Sequence, residues 1–246
     1  MLAAQRYAKI IQLLNHKQSV SVAELSKLLQ ASEATVRRDI NVLHTKGSLI
    51  KVYGGAMSAE DYTTTEDKVE IRKTVHVSEK ELIAITAAKL IKAKDIVYID
   101  AGTTTELLLK YLQEKDAVYI TNDASHAVQL ISHGFTTTII GGTMKLVTYA
   151  TVGASAVENL RRYNFTIGFF GTNGVSIKAG LTTPTDEEAM MKETAINHCK
   201  KAYILADNSK FGKITPFSFS SLDKVTVITN KQPDETYAHY DIVVAG

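Results

Sequence analysis

The chain has 246 residues, 45% hydrophobic and 22% charged, which is room for one large domain or for a small one plus a medium one, each with a real core. Its single cysteine, Cys199, excludes an internal disulfide framework or a structural thiolate zinc site and suits a reduced, cytoplasmic setting. No signal-peptide core and no bilayer-length apolar run stand out, so neither membrane, metal nor cofactor is expected.

The net charge of +2 is uninformative, but its distribution is not. Residues 1–55 hold eight Lys/Arg against three acids, a net of +5, and the remainder is mildly acidic. A basic small domain joined to an acidic larger one points to nucleic acid at one end only.

In chain order, Tyr7, Ile10, Ile11 and Leu14 recur at helical spacing, and a polar turn is expected over 15–19. Ser21 with Glu24 forms a capping box that opens a second helix carrying Ala23, Leu25, Leu28 and Leu29. Ser32 caps a third helix reaching to about Thr45 and ended by Gly47. At 100° per residue, Val36, Ile40 and Leu43 face the core, while Ala34, Arg38, Asn41 and Thr45 lie opposite. A helix–short turn–helix that displays Arg38 and Asn41 fits a major groove, where Arg pairs with guanine and Asn with adenine. Ser32, Thr35, Arg37 and Lys51 suit phosphate oxygens. The run from Ser48 to Tyr53, meeting Gly54-Gly55, reads as a small β wing. Residues 1–57 are thus expected to bind double-stranded DNA; the plainer alternative is a protein-docking module with a solvated basic face.

Residues 58–78 lack steady periodicity and read as a connector, with 69–75 open to either strand or helix. Residues 79–246 then alternate. The Ser78 and Glu81 pattern suggests a capped helix through Ile91. Strands are expected over 96–99, 117–121, 136–140, 166–170, 201–206, 225–228 and 242–244, with helices near 104–113, 124–132, 153–161 and 186–198. That is an α/β domain with a largely parallel sheet, whose ligands sit at the carboxyl ends of the strands.

The first five strands each run into a loop of small, polar or charged residues. Residues 100–105, Asp-Ala-Gly-Thr-Thr-Thr, form a strand-to-helix turn. There Gly102 permits a tight bend, and unpaired amides stand beside the hydroxyls of Thr103, Thr104 and Thr105. Such a turn binds an anion, above all phosphate, or is simply a well-capped helix start. The other loops bring Asn122; Gly141, Gly142 and Lys145; Asn173 and Gly174; and Asp207 and Lys210. Lys145 and Lys210 can neutralise a phosphate. Asp100, Asn122, Asn173 and Asp207 suit sugar hydroxyls.

The run Ser32-Glu-Ala-Thr-Val-Arg-Arg-Asp-Ile40, followed by Gly47 and by residues 52–56, Val-Tyr-Gly-Gly-Ala, resembles the head of the DeoR family of bacterial transcription regulators. The resemblance covers nearly the whole chain. It implies a winged helix-turn-helix followed by an α/β sensor domain similar to the ribose-5-phosphate isomerase and CoA transferase fold, in which the Gly-Thr-Thr type loop holds phosphate. Glu188, Ala189 and Lys192 match the family's Glu-Ala-x-x-Lys pattern, which implies a role near the effector pocket for Glu188 and Lys192. Arg72 matches an arginine often seen ahead of the sensor. Lys145 stands where many relatives have arginine, which weakens a bidentate clamp, and Ala101 replaces a common serine. The function implied is a non-enzymatic, homo-oligomeric regulator, most often a repressor, of a sugar-catabolism operon. A phosphorylated sugar would release it from the operator, with fructose 1-phosphate the first candidate and tagatose 6-phosphate or sugar-alcohol phosphates open. The alternative is a sugar-phosphate isomerase-like enzyme carrying a DNA-binding head.

Overall fold

The computed structural model describes residues 3–17, 19–45, 48–52, 54–58, 69–146 and 148–246. The expected helix stop at Gly47 and the wing residue Tyr53 lie outside the described residues. Contacts divide the chain into two compact units, residues 1–64 and 65–246.

The first unit runs α1 (Ala3–Lys17), β1 (Ser19–Ser21), α2 (Val22–Leu29), α3 (Glu33–Thr45), β2 (Leu49–Val52) and β3 (Gly55–Ser58). Helix α1 continues through Lys17, into the stretch expected to be a turn. Residues 19–21 then pair antiparallel with β3, which makes the wing three-stranded in the order β1-β3-β2. Ser21 caps α2, its hydroxyl accepting from the Glu24 amide at 3.1 Å. The Glu24 carboxylate takes a hydrogen bond from Lys17 at 2.6 Å instead of closing a capping box. Val22, Leu25 and Leu29 face inward, whereas Ala23 and Leu28 are exposed. The stripe Val36, Ile40 and Leu43 is buried among Ile10, Leu14, Leu25 and Leu49.

The second unit begins with α4 (Val69–Thr74) and α5 (Val77–Ala88). The stretch left open between strand and helix is thus a helix, tied to the rest of the unit by a Lys73–Glu106 ion pair at 2.8 Å. Ser78 is not the cap of α5. The cap is His76, two residues earlier and in a left-handed conformation, because α4 delivers the chain there and the Lys80 amide already bonds to the His76 carbonyl.

Next come β4 (Ile96–Ile99), α6 (Thr103–Leu109), β5 (Val118–Thr121), α7 (Ala124–Ser132), β6 (Thr136–Ile139), β7 (Thr143–Met144), β8 (Thr151–Val152), α8 (Ala154–Leu160) and β9 (Ile167–Gly171). The chain continues through β10 (Gly174–Ser176), β11 (Gly180–Thr183), α9 (Asp186–Asn197), β12 (Ala202–Leu205), β13 (Phe217–Ser220), β14 (Thr226–Thr229) and β15 (Ile242–Val244). The seven expected strands form one parallel sheet in the order β15-β14-β12-β9-β4-β5-β6. Strand alternation separates two cores. Val97, Ile99 and Phe169 pack with residues of α5 and α6 on one face, while Tyr98 and Phe170 pack with residues of α8 and α9 on the other. A second, antiparallel sheet, β10-β11-β13, joins that latter core through Val175, Leu181 and Phe219.

Candidate functional site

In the head, the outward face of α3 is as the helical angles require. Arg38, Asn41 and Thr45 are exposed, as is Lys51 on β2. The Ser32 hydroxyl accepts from the Thr35 amide at 3.2 Å and lies 2.9 Å from the Thr35 hydroxyl, so both are first of all cap residues. Arg37 pairs with Glu33 at 3.3 Å. Both ends of that pair are exposed, so it holds Arg37 weakly and leaves it able to swing to a phosphate. Asp39, next in the motif, points the other way. It is buried and takes a two-toothed contact from Arg6, at 2.6 and 3.0 Å. That fork ties α1 to α3 and so sets which side of α3 faces outward.

In the sensor, all seven strands point the same way, and β12, β9, β4, β5 and β6 are consecutive neighbours. The loops at their carboxyl ends therefore share one rim, with residues 100–105 in the middle. Asp100 is buried at the end of β4 and accepts from the Gly171 amide at 3.2 Å and from the Lys192 ammonium. Lys192 also donates to the Gly171 carbonyl at 3.1 Å. Burial holds the Asp100 carboxyl above its ordinary range, against the pull of Lys192 and the Gly171 amide.

One turn earlier on α9, Glu188 makes a second pair. It accepts from Lys145 and, at 3.0 Å, from the Thr183 hydroxyl. Burial pushes Glu188 up, but the Lys145 bond and the charges of Lys192 and Lys145 outweigh it, so its carboxyl sits below the usual range. Asn173 is part of this cluster through the Thr183 hydroxyl, 3.5 Å from its amide oxygen.

The first amides of α6 have no preceding turn to bond. Beside them lies Lys80, whose ammonium donates to the Thr103 hydroxyl at 3.3 Å and to the Arg72 carbonyl. Lys80 is buried, and burial lowers its pKa. Asp207 and Glu79 raise it, while Lys210 and Arg72 push it further down. Lys80 thus stands among two further cations, Lys210 and Arg72, and two anions, Asp207 and Glu79. Sequence reasoning does not single out Lys80. A signal is there nonetheless: residues 80, 83, 84 and 87 form the buried stripe of α5, and a lysine opens it.

Other candidates are committed within the protein. Asn122 is buried, its oxygen accepting from the Ala101 amide at 3.0 Å and its nitrogen donating to the Thr151 carbonyl at 3.3 Å. Thr105 is fully buried and donates to the Gly102 carbonyl at 2.9 Å. Thr104 is buried as well, which leaves Thr103 the most open of the three. A Cβ on Gly142 would stand 2.6 Å from the Ala156 Cβ, and one on Gly174 2.4 Å from the Lys213 carbonyl oxygen, so both glycines serve close packing. Gly141 is exposed. Asp207 is buried and accepts from the Ser209 amide at 2.9 Å, capping the short turn that carries Lys210.

A winged helix-turn-helix with an outward Arg/Asn face, and an α/β unit with a cationic, polar strand-end rim, define a DNA-binding regulator with a ligand-sensing domain. Comparison with known proteins agrees. Residues 6–62 match the DeoR-like helix-turn-helix domain and residues 75–231 the DeoR C-terminal sensor domain. The chain is 37% identical over 241 residues to the uncharacterized HTH-type transcriptional regulator FruR of Bacillus subtilis (strain 168), covering 98% of this chain and 96% of that protein. It is 31% identical to the HTH-type transcriptional regulator GlpR of Haloferax volcanii, covering 100% and 96%. It is 33% identical to the lactose phosphotransferase system repressor of Staphylococcus aureus, covering 94% and 93%. The protein belongs to the DeoR family of transcription regulators. Among solved structures, a D-ribose-5-phosphate isomerase in complex with phospho-erythronic acid aligns over 54% of this chain and 52% of that one, at 16% identity and a TM-score of 0.41, a likeness that carries no weight for function.

Proposed function

We propose that this regulator represses an operon for the uptake or breakdown of a sugar, acting in the cytoplasm on double-stranded operator DNA, and leaves the operator when a phosphorylated sugar binds the strand-end rim. The observation that carries the reading is the Lys80 ammonium on the Thr103 hydroxyl, at the start of α6 where the first amides lack intrahelical partners, and within the field of Lys210. Amides, hydroxyl and ammonium together are what a phosphate dianion requires. The sugar hydroxyls would then meet Asp100, Lys192, Asn173, Glu188 and Lys145. We read these carboxylates as hydroxyl ligands rather than catalysts, since each is already tied to a lysine. The names of the relatives support a sugar operon, and fructose 1-phosphate is the first candidate among the effectors. Release requires two or more copies whose heads meet two half-sites, and a ligand that favours the non-binding arrangement by a few kcal/mol.

The test is a thermal-shift panel of phosphorylated sugars, each beside its unphosphorylated parent. Ligand binding raises the melting temperature by mass action. A shift with one sugar phosphate and not with its parent is the expected result; no shift with any of them removes the sensor reading and leaves the DNA-binding head untouched.

A further inference from the structure

Strand β6 is the outermost strand of the parallel sheet, and among the described residues nothing pairs with its outer side. Its sequence, Thr-Thr-Thr-Ile, carries none of the lysines, prolines or bulges that keep exposed edges from pairing. The neutrality reaches further. Residues 124–144, which span α7, β6 and β7, contain no Asp, Glu, Lys or Arg, in a chain where such residues are 22%.

The same region exposes apolar side chains: Val128 at 68%, Ile131 at 62% and Ile139 at 43%. Helix α7 shows where they point. His126, Ala127 and Leu130 face the sheet. Gln129 reaches sideways to Glu106 of α6 at 3.4 Å. At 100° per residue, Ile131 lies on the flank opposite Gln129, which is the side of the open edge, and Val128 lies on the outer crest of the helix next to it. Lys115, outside that neutral run, does not project across the edge. Its ammonium donates to the His133 carbonyl and lies 3.5 Å from the centre of the Phe135 ring.

We propose that a second copy of this chain docks here, with β6 pairing antiparallel to its own copy about a two-fold axis. An uncharged face offers a charged partner nothing to recognise, yet it meets its own image without like-charge repulsion. The two-fold operation keeps both α7 helices on one side of the joined sheet and turns Ile131 toward its copy, with Val128 at the outer margin of the contact. Each chain's open backbone groups gain partners, and the exposed apolar flank is covered. The opposite edge, β15, is three residues long and is preceded by Asp241, whose carboxylate accepts from Thr226, so it does not share this neutrality.

The experiment needs no effector, so it stands or falls apart from the sugar-phosphate reading. The mass of the full chain is measured by light scattering, for the wild type and for Val128→Glu/Ile131→Glu. Both positions are exposed, so folding, checked by circular dichroism, is expected to survive. The variant should show half the wild-type mass or less. An equal mass, or a wild type that is monomeric at every concentration, overturns the proposal. Independently of that variant, single cysteines are placed at 136, 137, 138 and 139 in turn and the chains are oxidised. Self-pairing puts at least one of these within disulfide reach of its copy, with Cα atoms about 5.5 Å apart. The wild type, whose partly buried Cys199 has a thiol pushed up to about 12, is the control. A covalent dimer at one or more of the four positions supports the pairing, and none at any of them overturns it.

Discussion

Replacing Lys192 by Met should expose how the centre of the sensor is held. Lys192 and Asp100 form a buried pair, with side chains 7% and 2% exposed. Without the lysine, the Asp100 carboxylate keeps only the Gly171 amide at 3.2 Å. Removing one partner of such a pair costs about 3–5 kcal/mol. For a unit of this size about 1 kcal/mol moves the melting temperature by 2–4 °C, so the sensor transition should fall by about 10 °C at pH 7.5. The deficit depends on pH, and the sign can be worked out. Asp100 has a folded pKa raised by burial, so its neutral form favours the fold at low pH, and that advantage is lost as pH rises through the folded value. Deleting Lys192 removes the main influence pulling that pKa down and extends the window upward. The variant should therefore recover part of its stability at pH 5, and Asp100→Asn added to Lys192→Met should recover stability at pH 7.5. Scanning calorimetry suits the assay, because the chain has no Trp to report unfolding by fluorescence. A fall of less than about 2 °C, or one equal at both pH values with no rescue by Asp100→Asn, would show that the pair does not hold the site.

Three further outcomes are expected. Arg38→Ala should weaken operator binding by about 10- to 100-fold, the worth of one good base contact, with circular dichroism unchanged; an operator affinity equal to that of the wild type in a gel-shift assay would mean the groove assignment is wrong. Lys80→Gln should lower affinity for the phosphorylated sugar by about 10-fold or more, as loss of a charged hydrogen bond implies. An unchanged affinity in calorimetric titration would put the phosphate elsewhere. Gly174→Ala forces a Cβ to 2.4 Å from the Lys213 carbonyl oxygen and should cost about 1–3 kcal/mol; an unchanged melting temperature would deny the close packing of β10 on that segment.

Much of the fold was legible because burial pattern is a local property. Alternating or continuous apolar runs marked all seven strands of the main sheet to within a residue or two, and the Val36, Ile40, Leu43 stripe oriented the reading helix. Less was legible where a side chain's job depends on a distant segment. Asp39 reads as part of a basic motif, yet it is buried because Arg6 reaches it from another helix. Lys80 stands between Glu79 and Glu81 in sequence, and its role appears only where α4 and the Thr103 turn close over it. The antiparallel sheet β10-β11-β13 went unforeseen, since its strands are short and its third member comes after an intervening helix and strand.

The sequence by itself determined the family, the two-part plan, the faces of the helices and the chemical types gathered after the strands. Only the tertiary structure decided which of those groups meet. Strand order placed residues 100–105 at the middle of the rim, and pairs 92 and 43 residues apart, Asp100 with Lys192 and Lys145 with Glu188, closed across it. The reason is that periodicity records which side of an element turns inward, whereas neighbours are set by how the elements are stacked, and no single element carries that order.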